Sequence, residues 1–370
     1  MKRKNVVQRM NLTTSVLEEA RKRIKFLYDE FEIVCVSFSG GKDSTVIMNL
    51  ALEEAESRGR LPLDVIFLDQ EAEWQSTVDY MRIIQSNPKI RLHWIQAEFK
   101  LFNGASTLSD WLYCWKEDTD WIRPKEPSSI HINTFGTDRF VDILSRIQGQ
   151  FWPNDKTAVL MGVRAEESAT RMLGLTQRET YKGITYGRKQ HGPGEHYGFS
   201  PIYDWSYKDV WKYIHDANVP YNKLYDYQYR HGIPVSKMRC SSVTHESALI
   251  DLTFMQEIEP KTWMKVSKRV SGANSINQLS TSSLKCPKEL PWMFSSWAEY
   301  RDYLTEVMID SSHHTKMFKY YKGFESKHTP ESHDRFSKCA IDAILANDYH
   351  FTKLALKTVT LRRYLIRFRD

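Results

Sequence analysis

The run Ile33-Val34-Cys35-Val36-Ser37-Phe38 passes directly into Ser39-Gly40-Gly41-Lys42-Asp43-Ser44, and then into Thr45-Val46-Ile47-Met48-Asn49-Leu50-Ala51-Leu52. A short apolar run closed by a glycine pair reads as a buried strand, and the stretch after it as a helix. A strand that turns through two glycines into a helix aims several backbone N–H groups at one spot, and such a spot binds anions. Gly40 and Gly41 let the backbone approach an oxyanion with no Cβ in the way, Lys42 adds a point charge, and Ser39 and Ser44 add hydroxyls. A carboxylate such as Asp43 makes sense in an anion site chiefly when it faces a metal ion, and Mg²⁺ bridging phosphates is the usual occupant. A phosphate cradle is therefore expected here, with Asp43 as the Mg²⁺ ligand. It is not a Walker A loop, because Asp43 follows Lys42 and Val36 stands where the first glycine of that pattern belongs.

The rest of the chain supplies a frame for that loop. Ser15 and Glu18 form a capping-box pattern ahead of Leu17, Ala20, Ile24, Leu27 and Tyr28 at helical spacing. Further buried strands are predicted at Leu63 to Leu68, ending in Asp69, at Ile90 to Ala97, and at Ala158 to Val163, just before Arg164. Strands alternating with helices predict an α/β fold with a doubly wound parallel sheet, in which ligands sit at the carboxyl ends of strands. The expected layout is an N-terminal helix in 1–30, a loop-bearing domain over 31–240 with a tryptophan-rich insertion at 103–136, and a mainly helical region over 241–370 that ends in a basic tail.

The insertion holds Trp111, Trp115 and Trp121, with Pro124 and Pro127 breaking helices. Packing of a lid or subdomain is the expected role, ahead of a base-stacking platform. From about Thr176 to Tyr197, glycines accompany Arg178, Lys182, Arg188, Lys189, His191 and His196, as in a loop that closes on an anion or one that is simply solvated. The tail carries Lys353, Lys357, Arg362, Arg363, Arg367 and Arg369, a candidate grip on nucleic acid or a partner and equally a solvated helix face.

A net charge of +6 over 370 residues suits polyanionic ligands without demanding nucleic acid. No apolar run approaches the roughly 20 residues of a membrane span, and Lys2-Arg3-Lys4 leads into Asn5-Val6-Val7-Gln8-Arg9 rather than an apolar stretch, so a cytoplasmic protein is expected. Five scattered cysteines suit reduced thiols. His231, Cys240, His245 and Cys286 match no zinc spacing.

A second motif, Gly162-Val163-Arg164-Ala165-Glu166-Glu167-Ser168-Ala169-Thr170-Arg171, sets two arginines among acids straight after a strand. Were the chain helical from Glu167 on, Arg164 and Arg171 would face one side and clamp a phosphate or sulfate; otherwise the set is an Arg–Glu network at a helix start. A third, Pro201-Ile202-Tyr203-Asp204-Trp205-Ser206-Tyr207-Lys208-Asp209-Val210-Trp211, is a capped core helix followed by Val219-Pro220-Tyr221-Asn222-Lys223-Leu224-Tyr225.

In order, these segments resemble the S-G-G-K-D-S, G-x-R-x-x-E-S-x-x-R, P-[IL]-x-x-W-[ST]-x-x-D-[VI]-W and I-P-Y-N-x-L-Y motifs of the phosphoadenosine phosphosulfate (PAPS) reductase and ATP sulfurylase small-subunit group, among the PP-loop ATP pyrophosphatases. The resemblance implies an adenine nucleotide α-hydrolase-like, Rossmann-like fold and cleavage of ATP between the α and β phosphates. Carried over, Ser39, Gly40, Gly41, Lys42, Asp43 and Ser44 hold the phosphates, Asp43 meets Mg²⁺, and Asp69, Gly162, Arg164, Glu167 and Arg171 complete the nucleotide site, with Lys42, Asp43, Arg164 and Arg171 as the catalytic set. The resemblance extends to PAPS reductase-like proteins associated with a ParB-like partner in regulation or defence. The E-C-G-[IL]-H motif of the reductases is missing, so a sulfonucleotide reductase would need Cys240 or Cys339 instead. A nucleic-acid-associated regulator that binds ATP allosterically is the other alternative.

Overall fold

The computed structural model describes residues 13–106, 109, 111–176, 179–190, 192, 194–240, 243–244, 249–273, 286–309 and 311–345. The basic tail, Arg178, His191, His245 and most of the 271–283 stretch lie outside the described residues. The chain divides into two compact units: Met1–Asp69, Gln75–Ala97 and Lys125–Cys240 in one, and Gln70–Trp74, Glu98–Pro124 and Ser241–Asp370 in the other.

In the first unit, helix α1 (Val16–Glu30) starts at the predicted capping box, with Ser15 Oγ accepting from the Glu18 N–H and the Glu18 carboxylate accepting from the Ser15 N–H. It buries Ala20, Ile24, Leu27 and Tyr28, the stripe read from the sequence. Strand β1 (Ile33–Ser37) leads through the glycine turn into α2 (Lys42–Ser57), followed by β2 (Leu63–Leu68), α3 (Gln75–Gln85) and β3 (Ile90–Ile95). After the second unit's β4 (Phe99–Phe102) and β5 (Trp111–Cys114), the chain continues through α4 (Phe140–Phe151), β6 (Thr157–Met161), α5 (Ala169–Thr176), β7 (Gly187–Lys189), β8 (His196–Phe199), α6 (Tyr207–Asp216) and α7 (Leu224–Arg230).

The sheet order is β3-β2-β1-β6-β8-β7. Every pairing is parallel except β7 with β8. The chain builds outward from β1 through β2 and β3, then returns to the other flank of β1 with β6 and β8, which makes the carboxyl ends of β1 and β6 the topological switch point. Register places Ser37 opposite Met161, so the turn after β1 and the turn after β6 leave the sheet side by side. β1, β2 and β6 are buried almost along their whole length, as strands covered on both faces must be.

Two local expectations change. The stretch after β6 is not one helix from Glu167: a short 3-10 turn (Ala165–Glu167) ends at Ser168 in extended conformation, and α5 begins afresh at Ala169. The glycine- and cation-rich stretch 176–197 carries the edge strand β7, paired antiparallel with β8, although Gly187-Arg188-Lys189 has no apolar signature.

In the second unit, β4 and β5 form an antiparallel ladder, so the 103–136 insertion, which reads from the sequence as a loop, carries strand β5. It also holds α8 (Leu249–Ile258), α9 (Pro260–Arg269) and helices at Trp297–Met308, Ser311–Glu325 and Pro330–Leu345, whose core includes Met317, Tyr321, Phe324, Phe336 and Ile341. Among the described residues no helix is long and apolar enough to cross a membrane.

Candidate functional site

The glycine turn stands at the switch point. Gly40 has φ +72°, the left-handed region where a side chain is costly, and a Cβ there would lie 2.9 Å from Thr77 Cγ2. Gly41 is the N-cap of α2 and caps it with no side chain. Ser44 is buried: its Oγ donates to Gly41 O at 2.9 Å, accepts from the Ser39 N–H, and lies 3.1 Å from the Oγ of the exposed Ser39.

The turn is braced by Asn222 and Tyr225, which the sequence marks only as part of a shared motif, and by Met238 and Cys240 beyond that motif. Lys42 N–H donates to the Tyr225 hydroxyl at 2.9 Å, and Asn222 Nδ2 donates to Gly40 O at 3.2 Å and to Thr77 Oγ1 at 2.9 Å. The Cys240 thiol donates to Ser39 O at 3.6 Å and lies 3.1 Å from where a Cβ on Gly41 would sit. Burial raises the Tyr225 pKa well above the phenol range, with Cys240 and Asp43 adding to the effect, so Tyr225 stays a neutral hydroxyl at the helix terminus. The Lys42 ammonium is buried too: it donates to Met238 O at 2.9 Å, lies 5.3 Å from the centre of the Tyr225 ring, and stands 3.5 Å from Asp43 Oδ2.

Charged groups cross between the two turns. Arg164 Nε donates to Asp43 Oδ1 at 2.5 Å, and Arg164 Nη1 reaches Glu166 Oε2 at 2.9 Å and Trp205 O at 3.4 Å. Glu166 Oε2 also accepts from the Tyr207 N–H at 2.7 Å, tying the network to the start of α6. Glu167 accepts from the Arg164 N–H and pairs with Arg171, whose side chain remains half exposed. Burial lowers the Arg171 pKa; Asp43 opposes that shift, and the neighbouring Arg164 and Arg239 reinforce it. Burial also lowers Arg188, whose guanidinium reaches Met161 Sδ at the end of β6. Asp43, Arg164, Glu167 and Arg171 thus come together, with Arg239 close enough to act electrostatically.

Gly162 and Asp69 have packing roles that their motif positions do not reveal. A Cβ on Gly162 would lie 2.7 Å from both Asp43 C and Ser44 N, so only glycine lets the β6 turn abut the first turn of α2. Asp69 is fully buried; its Oδ2 accepts from Trp94 Nε1 at 2.8 Å and Gln96 Nε2 at 2.9 Å, fastening the end of β2 to the end of β3. Among the described residues no group of three or more His, Cys, Asp or Glu side chains is arranged to hold a metal ion.

The family model for the phosphoadenosine phosphosulfate reductase domain matches residues 33–231. The chain belongs to this family. The match covers the whole sheet, the glycine turn and the Arg164 network. A domain of unknown function (DUF3440) matches residues 232–370. Relatives of this PAPS reductase family member include the uncharacterized protein YbdN of Escherichia coli K12, 28% identical over 73% of this chain and 68% of that one. The adenosine 5'-phosphosulfate reductase of Oceanobacillus iheyensis is 25% identical over 62% of this chain and 80% of its own. Among solved structures, a PAPS reductase from Candida auris in a phosphate complex aligns at a TM-score of 0.33 and 17% identity, over 56% of this chain and 84% of that one.

Proposed function

We propose that the first unit is an adenine-nucleotide enzyme that cleaves ATP between the α and β phosphates and adenylates an acceptor. The observation that carries this reading is the meeting, at the switch point, of an α-helix N-terminus whose N-cap residue, Gly41, has no side chain and the Asp43–Arg164 pair that joins the β1 and β6 turns. A helix N-terminus favours anions through its dipole and its unpaired amides. An acceptor oxygen or nitrogen attacks the α-phosphorus, the bond from that phosphorus to the bridging oxygen breaks, and pyrophosphate leaves with the electron pair while the acceptor loses its proton. The first-turn amides of α2 beyond that of Lys42, which Tyr225 occupies, would stabilise the charge that grows on the leaving group, with the Lys42 ammonium joining them once it leaves Met238 O, and Arg171, the more exposed arginine, meets the nucleotide phosphates.

Mg²⁺ fits by donor type. It is usually held by one or two carboxylates together with phosphate oxygens, and Asp43 offers one. Both Asp43 oxygens face cations, Arg164 and Lys42, so Mg²⁺ would replace one of them. When bound, it would neutralise charge on the phosphates.

The test is incubation with ATP labelled at the α position, with and without a ParB-like protein as candidate partner. Labelled AMP or adenylated acceptor with pyrophosphate supports the reading; ADP with phosphate overturns the cleavage position.

One observation favours a second reading. The Cys240 thiol lies against the glycine turn, where a sulfonucleotide would sit. As a thiolate it would attack the sulfur, release the nucleotide, and hold an S-sulfonate that an external dithiol resolves to sulfite and a disulfide. Sulfite release that disappears in Cys240→Ala supports this reading; no sulfite from either protein removes it.

A further inference from the structure

The second unit carries a cation-lined path that owes nothing to the glycine turn. Helix α9 buries Thr262, Trp263 and Val266 and leaves Lys261, Lys265 and Lys268 exposed. A cavity of about 620 Å³ lies against this helix, lined by Lys265, Lys268 and Arg269 and by Asp120, Trp121 and Arg123 of the loop after β5. That volume falls within the roughly 300–1,000 Å³ of ligand pockets. A smaller cavity of about 160 Å³ continues it, sharing Thr119 and Arg269, with Trp111, Tyr113 and Lys116 in its wall.

The two linings together hold Lys116, Arg123, Lys265, Lys268 and Arg269, with Asp120 as their one acidic lining residue and the buried Glu71 pairing with Arg269. Asp120 is 3.3 Å from Lys268, but the two side chains are 90% and 78% exposed, so this pair is weak and easily exchanged. Arg269 is fixed rather than mobile: Nε and Nη2 donate to the buried Glu71 carboxylate at 2.8 and 3.1 Å, and Nη2 also donates to Tyr113 O at 2.6 Å. Cations and rings come in pairs along the path, with Lys100 Nζ 5.4 Å from the Trp111 ring and Lys116 Nζ 5.5 Å from the Tyr113 ring.

We propose that this path binds single-stranded nucleic acid, the cations meeting backbone phosphates and Trp111, Tyr113 and Trp121 stacking on bases. An acidic peptide would satisfy the lysines and leave the rings without a function, and a mononucleotide would fill only one of two connected cavities. A charged groove with interleaved aromatic faces is what strand-tracking surfaces share. A duplex offers phosphates but keeps its bases stacked away from side chains.

The test is anisotropy of fluorescein-labelled dT20 and rU20 with the full chain at 50 and 200 mM salt, so that the tail is present in every variant. Lys265→Glu with Lys268→Glu is expected to weaken binding more than tenfold and to flatten the log–log salt slope by about 0.7 per lost phosphate contact. Tyr113→Leu is expected to weaken binding several-fold with the salt slope unchanged. Lys265→Gln with Lys268→Gln, milder at this exposed helix face, should fall between wild type and the double glutamate. Affinity unchanged in the double glutamate variant, or equal displacement of the probe by polyglutamate, ATP or a duplex, would overturn the proposal.

Discussion

Arg164 Nε and Asp43 Oδ1 stand 2.5 Å apart across 121 residues of sequence, joining the turn after β6 to the turn after β1. The Arg164 side chain is 5% exposed and that of Asp43 18%, so removing either leaves a charge poorly reached by water. Breaking such a pair costs about 3–5 kcal/mol where burial is deep, and the partial exposure of Asp43 puts the expected loss near the low end. Arg164→Ala should therefore lower unfolding stability by about 3 kcal/mol, and Asp43→Asn should lose less, because Arg164 keeps Glu166 and Trp205 O. The double variant should be less destabilised than the sum, by at least about 1 kcal/mol of coupling in urea unfolding. Simple additivity would show that the two turns are not joined by this pair.

Gly162 makes the same junction possible sterically. Because a Cβ there would collide with backbone atoms of Asp43 and Ser44 rather than with a yielding side chain, Gly162→Ala should cost about 1–3 kcal/mol and, on the proposed ATP cleavage, abolish turnover as Lys42→Ala should. Gly174 is the control: it lies in α5 with nothing within 4 Å of its Cβ position, and Gly174→Ala should stabilise by about 0.5–1 kcal/mol. Thermal melts of the two variants, moving in opposite directions, check both statements.

Tyr225 sits on an N–H that a phosphate would use. Tyr225→Phe removes the buried hydrogen bond from the Lys42 N–H and the longer one to Cys240 Sγ, for an expected loss of about 1 kcal/mol of stability, and releases the Lys42 amide to a ligand. If phosphates bind at the first turn of α2, ATP should bind the variant about fivefold more tightly, as isothermal titration would show. Weaker binding would mean that the Tyr225 hydroxyl braces the site instead of competing for it.

The parallel sheet, the capping box at Ser15 and the position of the glycine turn were legible because each depends on local patterns: apolar runs, a spacing of three, and two adjacent glycines. β7 was not, since Gly187-Arg188-Lys189 pairs through its backbone and carries no alternation. The arrangement of Arg164 and Arg171 was only half legible: seven residues put both on one side of an unbroken helix, but Ser168 in extended conformation interrupts it. The bracing contacts of Asn222, Tyr225 and Cys240 were hidden for a different reason. Their partners, Gly40, Lys42 and Ser39, lie about two hundred residues away, and no periodicity reports contacts at that range. Trp115 and Trp121 divide the tryptophan-rich insertion between two roles, the first fully buried and the second in a cavity wall.

His196 gives the first unit an acid sensitivity. Burial lowers its pKa below the ordinary 6.5, with Lys189 adding to the shift and Asp155 opposing it, and its Nδ1 lies 2.8 Å from Thr157 Oγ1 within the sheet. The folded protein therefore disfavours the imidazolium relative to the unfolded chain, which takes up its proton near pH 6.5. Where the unfolded state binds more protons, stability rises with pH. The contribution is complete above pH 6.5 and is lost as the pH falls from there toward the lowered folded value. His196→Gln, which keeps a hydrogen-bonding group without the titration, should flatten the decline in urea midpoint between pH 7 and pH 5.5. A variant whose midpoint falls as steeply as that of the wild type over this window would place the acid sensitivity elsewhere.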